Sequence, residues 1–233
     1  MVVEARRARF PLPTTPTTQR RRPRAEAHKP RSYAPDATRQ AIIDSALVLF
    51  ERNGFHATSV QAVADDADLT KGAFYHHFES KDQLVQIIHD ELLDHMLREL
   101  RSIHETVSGP DAQLRAVIRA IVHSTVRFRS HVAVYYHERR YLADARFDGV
   151  RRKHEEVLER TGAILRAGID DGTFRADIDP TVATCGIHGM AGGAHQWLRA
   201  NGTDPERVAA LLSDMGLGGV AKRSRAAPPL GRR

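Results

Sequence analysis

Apolar side chains recur along most of this chain at spacings of three and four residues, the period of one face of an α-helix. Ile42, Ile43, Ala46, Leu47 and Phe50 form the first stripe. Asn53-Gly54 closes it with two residues that tolerate the left-handed conformation of a helix C-terminus. Thr58 with Gln61 three residues on reads as a capping box that opens a second helix, with Val60, Val63, Ala64 and Ala67 as its inner face. Asp66 to Leu69 is a tight turn. Thr70 caps a short third helix that runs to about His77, and Ser80 with Gln83 opens a long fourth along Leu84, Ile87, Ile88, Leu92, Met96, Leu100 and Ile103. Ser108-Gly109-Pro110 breaks the chain before a fifth helix with Leu114, Val117, Ile118, Ile121, Val122 and Val126 inward. A short helix is expected around Tyr135 to Tyr141. A long one follows on Phe147, Val150, Val157, Leu158, Thr161, Ile164 and Leu165, and Asp171-Gly172 ends it. Asp179-Pro180 and Asp204-Pro205 each put an N-cap and a first-turn proline at the start of a further helix. No alternating strand pattern persists and no internal repeat occurs. The expected fold class is all-α with about nine helices. Residues 35–82 form an N-terminal three-helix module and residues 83–219 a larger helical domain.

Charge refines this outline. The net charge of +6 is not spread evenly. Residues 1–35 carry nine Lys and Arg against Glu4 and Glu26, and residues 221–233 carry five against none, so 36–220 is left at −6. The 1–34 arm, rich in Arg, Pro and Thr, has too little apolar surface to fold alone, and a disordered basic arm and a disordered basic tail at 220–233 are expected. Such tails suit nucleic acid through phosphate neutralisation, or are solvated extensions without a partner. No apolar run approaches about 18 residues, so no transmembrane helix and no membrane partner are expected. The basic start is followed by no apolar stretch of a signal peptide, so a cytoplasmic protein is expected.

Two short helices joined by a tight turn within about 20 residues have the geometry of a helix-turn-helix, whose second helix enters the major groove. In the third helix Phe74 and Phe78 are four apart and point to the core. Lys71, Gly72, Tyr75 and His76 turn to the other side, where glycine permits close backbone approach and the lysine and phenol can bond phosphate or base edges.

The run from Ile42 to Leu84 resembles the DNA-binding domain of the TetR family of transcriptional regulators. The matching residues are Ala46, Phe50, Gly54, Phe55, Thr58, Val60, Ala64, Ala67, Thr70-Lys71-Gly72, Phe74-Tyr75, His77-Phe78, Lys81 and Leu84, in register and without gaps. The resemblance implies that Thr58 and Thr70 hold phosphate at helix N-termini, that Lys71, Gly72 and Ala73 face base edges, and that Tyr75 and His77 contact the DNA backbone. It further implies a phosphate anchor at Lys81, with His76 as an additional contact. Asp68 stands where the family usually has glycine, a position that aspartate tolerates better than most residues. Residues 36–80 carry Arg39, Arg52 and Lys71 against seven acids, a net of −4, which is a poor footprint for DNA. Helix N-termini and the basic arm are expected to offset it.

The resemblance also implies a repressor that dimerises through its last two long helices and holds a near-palindromic operator. It would be released when a small effector among helices five to eight tilts helix four. Gly186, Gly189 and Gly193 share one helical face, which suits close approach of a partner helix; packing within the subunit and lining of the ligand cavity are the alternatives. Trp197, Leu198, Val208, Leu211, Leu212 and Met215 are the apolar candidates beside it. Ile118, Ile121, Val122, Thr125, Phe128, Tyr135, Ile164 and His188 are the candidate pocket residues, suited to a largely apolar effector with a polar end, lipid-like or of acyl-CoA type. His123, His137 and His188 are core or pocket-rim histidines that as a set suit that polar end. No His-Glu-x-x-His motif occurs, and His89 and His95, six apart, do not share a face, so no metal site is expected and no cofactor is implied. Cys185, the one cysteine, is expected to pack as a small apolar residue. No nucleophile elbow, phosphate loop or paired-carboxylate arrangement supports an enzyme. A DNA binder without sequence preference remains as the contrasting class.

Overall fold

The computed structural model describes residues 35–138, 145–198, 202 and 204–222. The basic arm, most of the basic tail and the end of the segment expected to reach Tyr141 lie outside these. The described residues form nine α-helices: α1 (Pro35–Asn53), α2 (Val60–Asp66), α3 (Lys71–His77), α4 (Lys81–Thr106), α5 (Pro110–Arg127), α6 (Arg129–Glu138), α7 (Asp148–Asp170), α8 (Pro180–Gly192) and α9 (Pro205–Val220). Short 3₁₀ turns precede α7 and follow α8. The one β-bridge among the described residues joins Phe174 to Ala221 and ties the turn after α7 to the end of α9.

Caps fix most boundaries. The Thr70 hydroxyl accepts from the Ala73 amide at 3.1 Å and Ser80 from Gln83 at 3.0 Å, while the Gln83 side chain takes the Glu79 amide at 2.7 Å. Asp179 accepts from Thr181 and Val182, and Asp204 from Glu206. Gly54 and Gly172 end α1 and α7 at φ of 79° and 78°, in the left-handed region where a side chain is strained. The capping box at Thr58 is corrected: α2 starts at Val60, and Ser59 is its cap, accepting from the Ala62 amide at 3.0 Å.

One continuous core runs from the first module into the larger domain. Ile42, Ile43, Ala46, Phe50, Val63, Phe74 and Leu84 are sealed from solvent in the first module, where Phe50 meets Phe55 edge-on and Phe74 meets Phe78. In the larger domain α5 packs against α4, α7, α8 and α9. At Gly216 a Cβ would lie 2.7 Å from an Ile118 methyl, so α9 reaches α5 this closely because a glycine stands there. Val126 departs from the expected inner face of α5: it is 49% exposed in the last turn, where it borders two open grooves. The continuous α4, 26 residues long, spans about 39 Å and contributes to the core in both modules.

Within the core, His89 on α4 has no exposed surface, and neither ring nitrogen has a hydrogen-bond partner among the described residues. Burial pushes its imidazole down to about 4, with His131 adding to the effect. His188 on α8 is pushed to about 4 by burial and by His154. In each case the folded value lies below the unfolded 6.5, so the unfolded chain takes the proton first as pH falls. Stability is therefore full above about pH 6.5 and declines towards pH 4, by roughly 3 kcal/mol per histidine. Melting temperature is expected to be flat from pH 8 to 7 and to drop below 6.5. His89→Leu, which removes the unpartnered nitrogens, should melt higher at pH 7 and titrate less steeply; an unchanged slope would assign the acid sensitivity elsewhere.

Candidate DNA interface and ligand cavity

The α2–turn–α3 unit is built around one strained residue. The chain leaves α2 at Ala67, and the Leu69 amide bonds back to the Ala64 carbonyl at 2.9 Å. That closure requires Asp68 to sit at φ 57°, the one non-glycine positive φ among the described residues. The departure from glycine thus survives, at a cost of roughly 1 kcal/mol. Asp68→Gly should recover about that much stability, read as a higher melting temperature. It should also strengthen DNA binding by removing a carboxylate beside the recognition helix; weaker binding would mean that this carboxylate positions the turn.

The turn sets α3 with Phe74 and Phe78 inward and Lys71, Gly72, Tyr75 and His76 exposed, Tyr75 at 50%. Ala73 is half-buried between the faces. The amides of Lys71 and Gly72 stand at an exposed helix N-terminus, where an anion is favoured. Three residues assigned to DNA are placed otherwise. The Thr58 hydroxyl is buried and donates to the Gly54 carbonyl at 2.9 Å, so it faces the fold and not a phosphate. The Lys81 ammonium donates to the Phe55 and Thr58 carbonyls at 2.6 and 2.8 Å and lies 4.2 Å over the Phe55 ring. It clamps the α1–α2 connection to the start of α4. His77 is half-buried, with Nε2 enclosed and without a hydrogen-bond partner among the described residues.

A cavity of 90 Å³ lies between α4, α5, α6, α7 and α8. Ile121, Thr125, Tyr135 and His188 of the expected set line it, together with Leu92, Met96, Ser124, Tyr136, His154 and Val157, which the sequence reading missed. Ile118, Val122 and Ile164 are core residues away from it, because α5 is surrounded on several sides and its buried stripe exceeds its cavity-facing one. Phe128 stands aside, its ring 4.7 Å from that of His95. His137 is exposed and His123 pairs with Glu206 at 3.0 Å, so of the three histidines grouped for the effector only His188 reaches the cavity.

Two helices run from the cavity to the first module. On α4, Asp90 and Asp94 are held by Lys153 of α7 at 2.7 and 2.8 Å. On α6, Val132, Tyr135 and Tyr136 line the cavity, while Ser130 donates to Glu51 of α1 at 2.9 Å and His131 meets Glu91 at 3.2 Å.

The glycine face of α8 opens outward. A Cβ at Gly186, Gly189 or Gly193 would have nothing within 4 Å, which removes packing within the subunit as its reason. Val182, Leu211 and Met215 are exposed beside it at 68%, 56% and 63%, and Trp197 at 38%. Leu198, Val208 and Leu212, expected on the same surface, are buried within the subunit. Cys185 is corrected too: it is exposed on α8, not packed.

A recognition helix with an exposed polar face, joined by a shared helix to a cavity-bearing helical domain, defines a helix-turn-helix DNA-binding regulator. Residues 42–88 match the family model described as bacterial regulatory proteins, tetR family, and residues 107–220 match that of the tetracyclin repressor-like C-terminal domain. The HTH-type transcriptional repressor KstR2 of Rhodococcus jostii is 33% identical over 166 residues, 71% of this chain and 81% of that protein. The probable acrEF/envCD operon repressor of Escherichia coli is 30% identical over 169 residues, 69% of this chain and 76% of that protein. The solved structure of the ketosteroid transcriptional regulator KstR2 of Mycobacterium tuberculosis aligns with a TM-score of 0.74 at 26% identity, covering 79% of this chain and 95% of that one. The chain belongs to the TetR family and is a DNA-binding transcriptional regulator. No helix among the described residues is long and apolar enough to cross a membrane.

Proposed function

We propose that the chain acts as a homodimeric repressor that holds a near-palindromic operator and leaves it when a largely apolar effector enters the cavity between α4 and α8. The observation that carries this reading is α3 itself: Phe74 and Phe78 anchor one side, and Lys71, Gly72, Tyr75 and His76 are left exposed on the other. Base edges are assigned to Lys71, Gly72 and Ala73, and phosphates to Tyr75, His76, Thr70 and the Lys71 and Gly72 amides that follow it. The exposed apolar surface of α8 and α9 supports dimerisation: Val182, Leu211 and Met215 flank bare glycines, and such a surface is costly in a monomer. A two-fold dimer puts two recognition helices about 34 Å apart, one turn of DNA.

Effector entry couples to DNA because the cavity is small. At 90 Å³ it is below the roughly 300–1,000 Å³ of drug-sized sites, so an effector of that size must push its walls apart. Two of those walls, α4 and α6, are the helices that touch the first module. An effector that binds the widened state better shifts the population towards it, and the spacing of the recognition helices changes with it. Lipid-like molecules, and the acyl portion of acyl-CoA-type ones, meet the apolar requirement. The description of the Mycobacterium tuberculosis relative as a ketosteroid regulator is consistent with it.

Sedimentation of the full chain with DNA carrying one or two half-sites tests the dimeric reading. Two chains per two-half-site duplex are expected, with far weaker binding to a single half-site; one chain bound equally well to either DNA would contradict it.

A further inference from the structure

The cavity borders a second, larger space. An open groove of 1,040 Å³ lies between α1, α5, α6 and the start of α9, with Val48, Arg52, Thr125, Arg129 and His195 among its lining residues. Thr125 lines both spaces, so one side chain separates them there. A pair of rings also stands between them. Tyr136 of α6 lines the cavity, and His195, in the 3₁₀ turn Gly193–Gln196, lines the groove. The two rings stack face to face, centroids 4.6 Å apart and planes 12° from parallel, and both residues are half-buried. The other walls are of a different kind, since α4, α5, α7 and α8 pack directly on one another around the cavity. Towards the groove α6 meets only this short turn and α5. The two rings are also held differently. The Tyr136 hydroxyl occupies the space above Gly192, where a Cβ would strike it. His195 is held within its own turn, Nδ1 donating to the Gly192 carbonyl at 2.8 Å. That turn begins at the pair Gly192-Gly193, and a 3₁₀ segment has poorer hydrogen-bond geometry than an α-helix and often marks a hinge.

Resting on the reading that this cavity takes an apolar effector, we infer that the effector reaches it from the groove and that the Tyr136–His195 stack is the gate it opens. Swinging the imidazole out into the groove breaks one ring stack and one hydrogen bond, and leaves Tyr136 as the remaining cover. The groove has the room to receive the displaced ring. Ring faces are apolar, so the passage suits the same ligands as the cavity. The entrance lies beside Val48 and Arg52 of α1, on the side of the DNA-binding module. A gate of this kind sets rates and not affinity. His195 lines the groove and not the cavity, so it does not touch a ligand once inside, and entry and exit cross the same barrier.

Exchange of a one-ring probe with the full chain tests this. Benzene enters an engineered apolar cavity of about 150 Å³, so fluorobenzene demands only modest widening here, and fluorine NMR reads its affinity and its exchange rate together. Magnetisation transfer from the bound ring to the Met96 methyl group places it in the cavity. In His195→Ala, entry and exit should both quicken by about fivefold or more, the rate equivalent of losing one aromatic pair. The dissociation constant should stay within about twofold of the parent value, because both directions gain alike. His195→Phe keeps a stacked ring but not the hydrogen bond to Gly192, and should exchange at about the parent rate. Exchange in the Phe variant as fast as in the Ala variant overturns the stack as the barrier. So does an affinity change carried by the exit rate alone, which would make His195 a ligand contact. Unchanged exchange in His195→Ala puts the entrance elsewhere, overturning the inference and leaving the effector reading standing. No binding of fluorobenzene to the parent chain overturns the effector reading and the inference with it.

Discussion

Gly72→Leu is expected to leave the chain folded, and even slightly more stable, while removing operator binding. A Cβ at Gly72 meets only the Thr70 hydroxyl oxygen, at an ordinary 3.7 Å, and the residue is exposed in the first turn of α3. Glycine in a helix costs about 1 kcal/mol relative to a good helix former, so leucine gains there. The same position lies between Lys71 and Tyr75 on the face assigned to DNA, where an isobutyl group holds the backbone off the groove. Loss of a base-reading contact costs about 1–3 kcal/mol, and a dimer loses it twice. Operator affinity should fall by about thirtyfold to ten-thousandfold while the melting temperature holds or rises. Unchanged affinity would move the DNA face away from α3.

Gly186→Arg is expected to separate the subunits. Its Cβ points into open space beside Val182, so the subunit has room for the longer side chain, and the helix again gains by losing a glycine. A partner helix laid on that face does not have the room, and two guanidinium groups would meet near a two-fold axis. The variant should sediment as a folded monomer. A monomer holds one half-site and falls from the 10⁻⁸–10⁻¹¹ M range of specific binders towards the 10⁻⁴–10⁻⁶ M of non-specific ones, a loss of about a thousandfold or more. A variant that still dimerises would place the interface elsewhere and leave the bare face of α8 unexplained.

Much of the fold was legible because helices write a local code. The inward pair Phe74 and Phe78 follows from a four-residue spacing, and the starts of α3, α4, α8 and α9 from Thr70, Ser80, Asp179 and Asp204, each of which caps as its residue type suggests. The miss at Thr58 has a definite cause. Thr58 and Ser59 are adjacent hydroxyls, both three residues from an eligible amide, and what separates them is burial, which depends on α1 passing behind Thr58. Lys81 is misread for the same reason, since its carbonyl partners lie 23 and 26 residues away. On α5 the inner stripe was recognisable, but its division between core and cavity was not: Ile118 turns towards α9 and Ile121 towards the cavity, a difference set by which helices pack around it. The outward glycines of α8 were visible as a pattern, whereas the cavity draws its lining from five helices that no single spacing joins.

Regulation by this protein depends on sequence-specific DNA binding, which fluorescence anisotropy measures directly. The full chain is titrated at one fixed salt concentration into labelled DNA from upstream of its own gene and into scrambled DNA of equal length. A preference of about a thousandfold or more for the upstream DNA is the predicted result. Equal, weak binding to both, repeated across fragments selected from the whole genome, would contradict it and leave an acidic helix-turn-helix that does not read sequence.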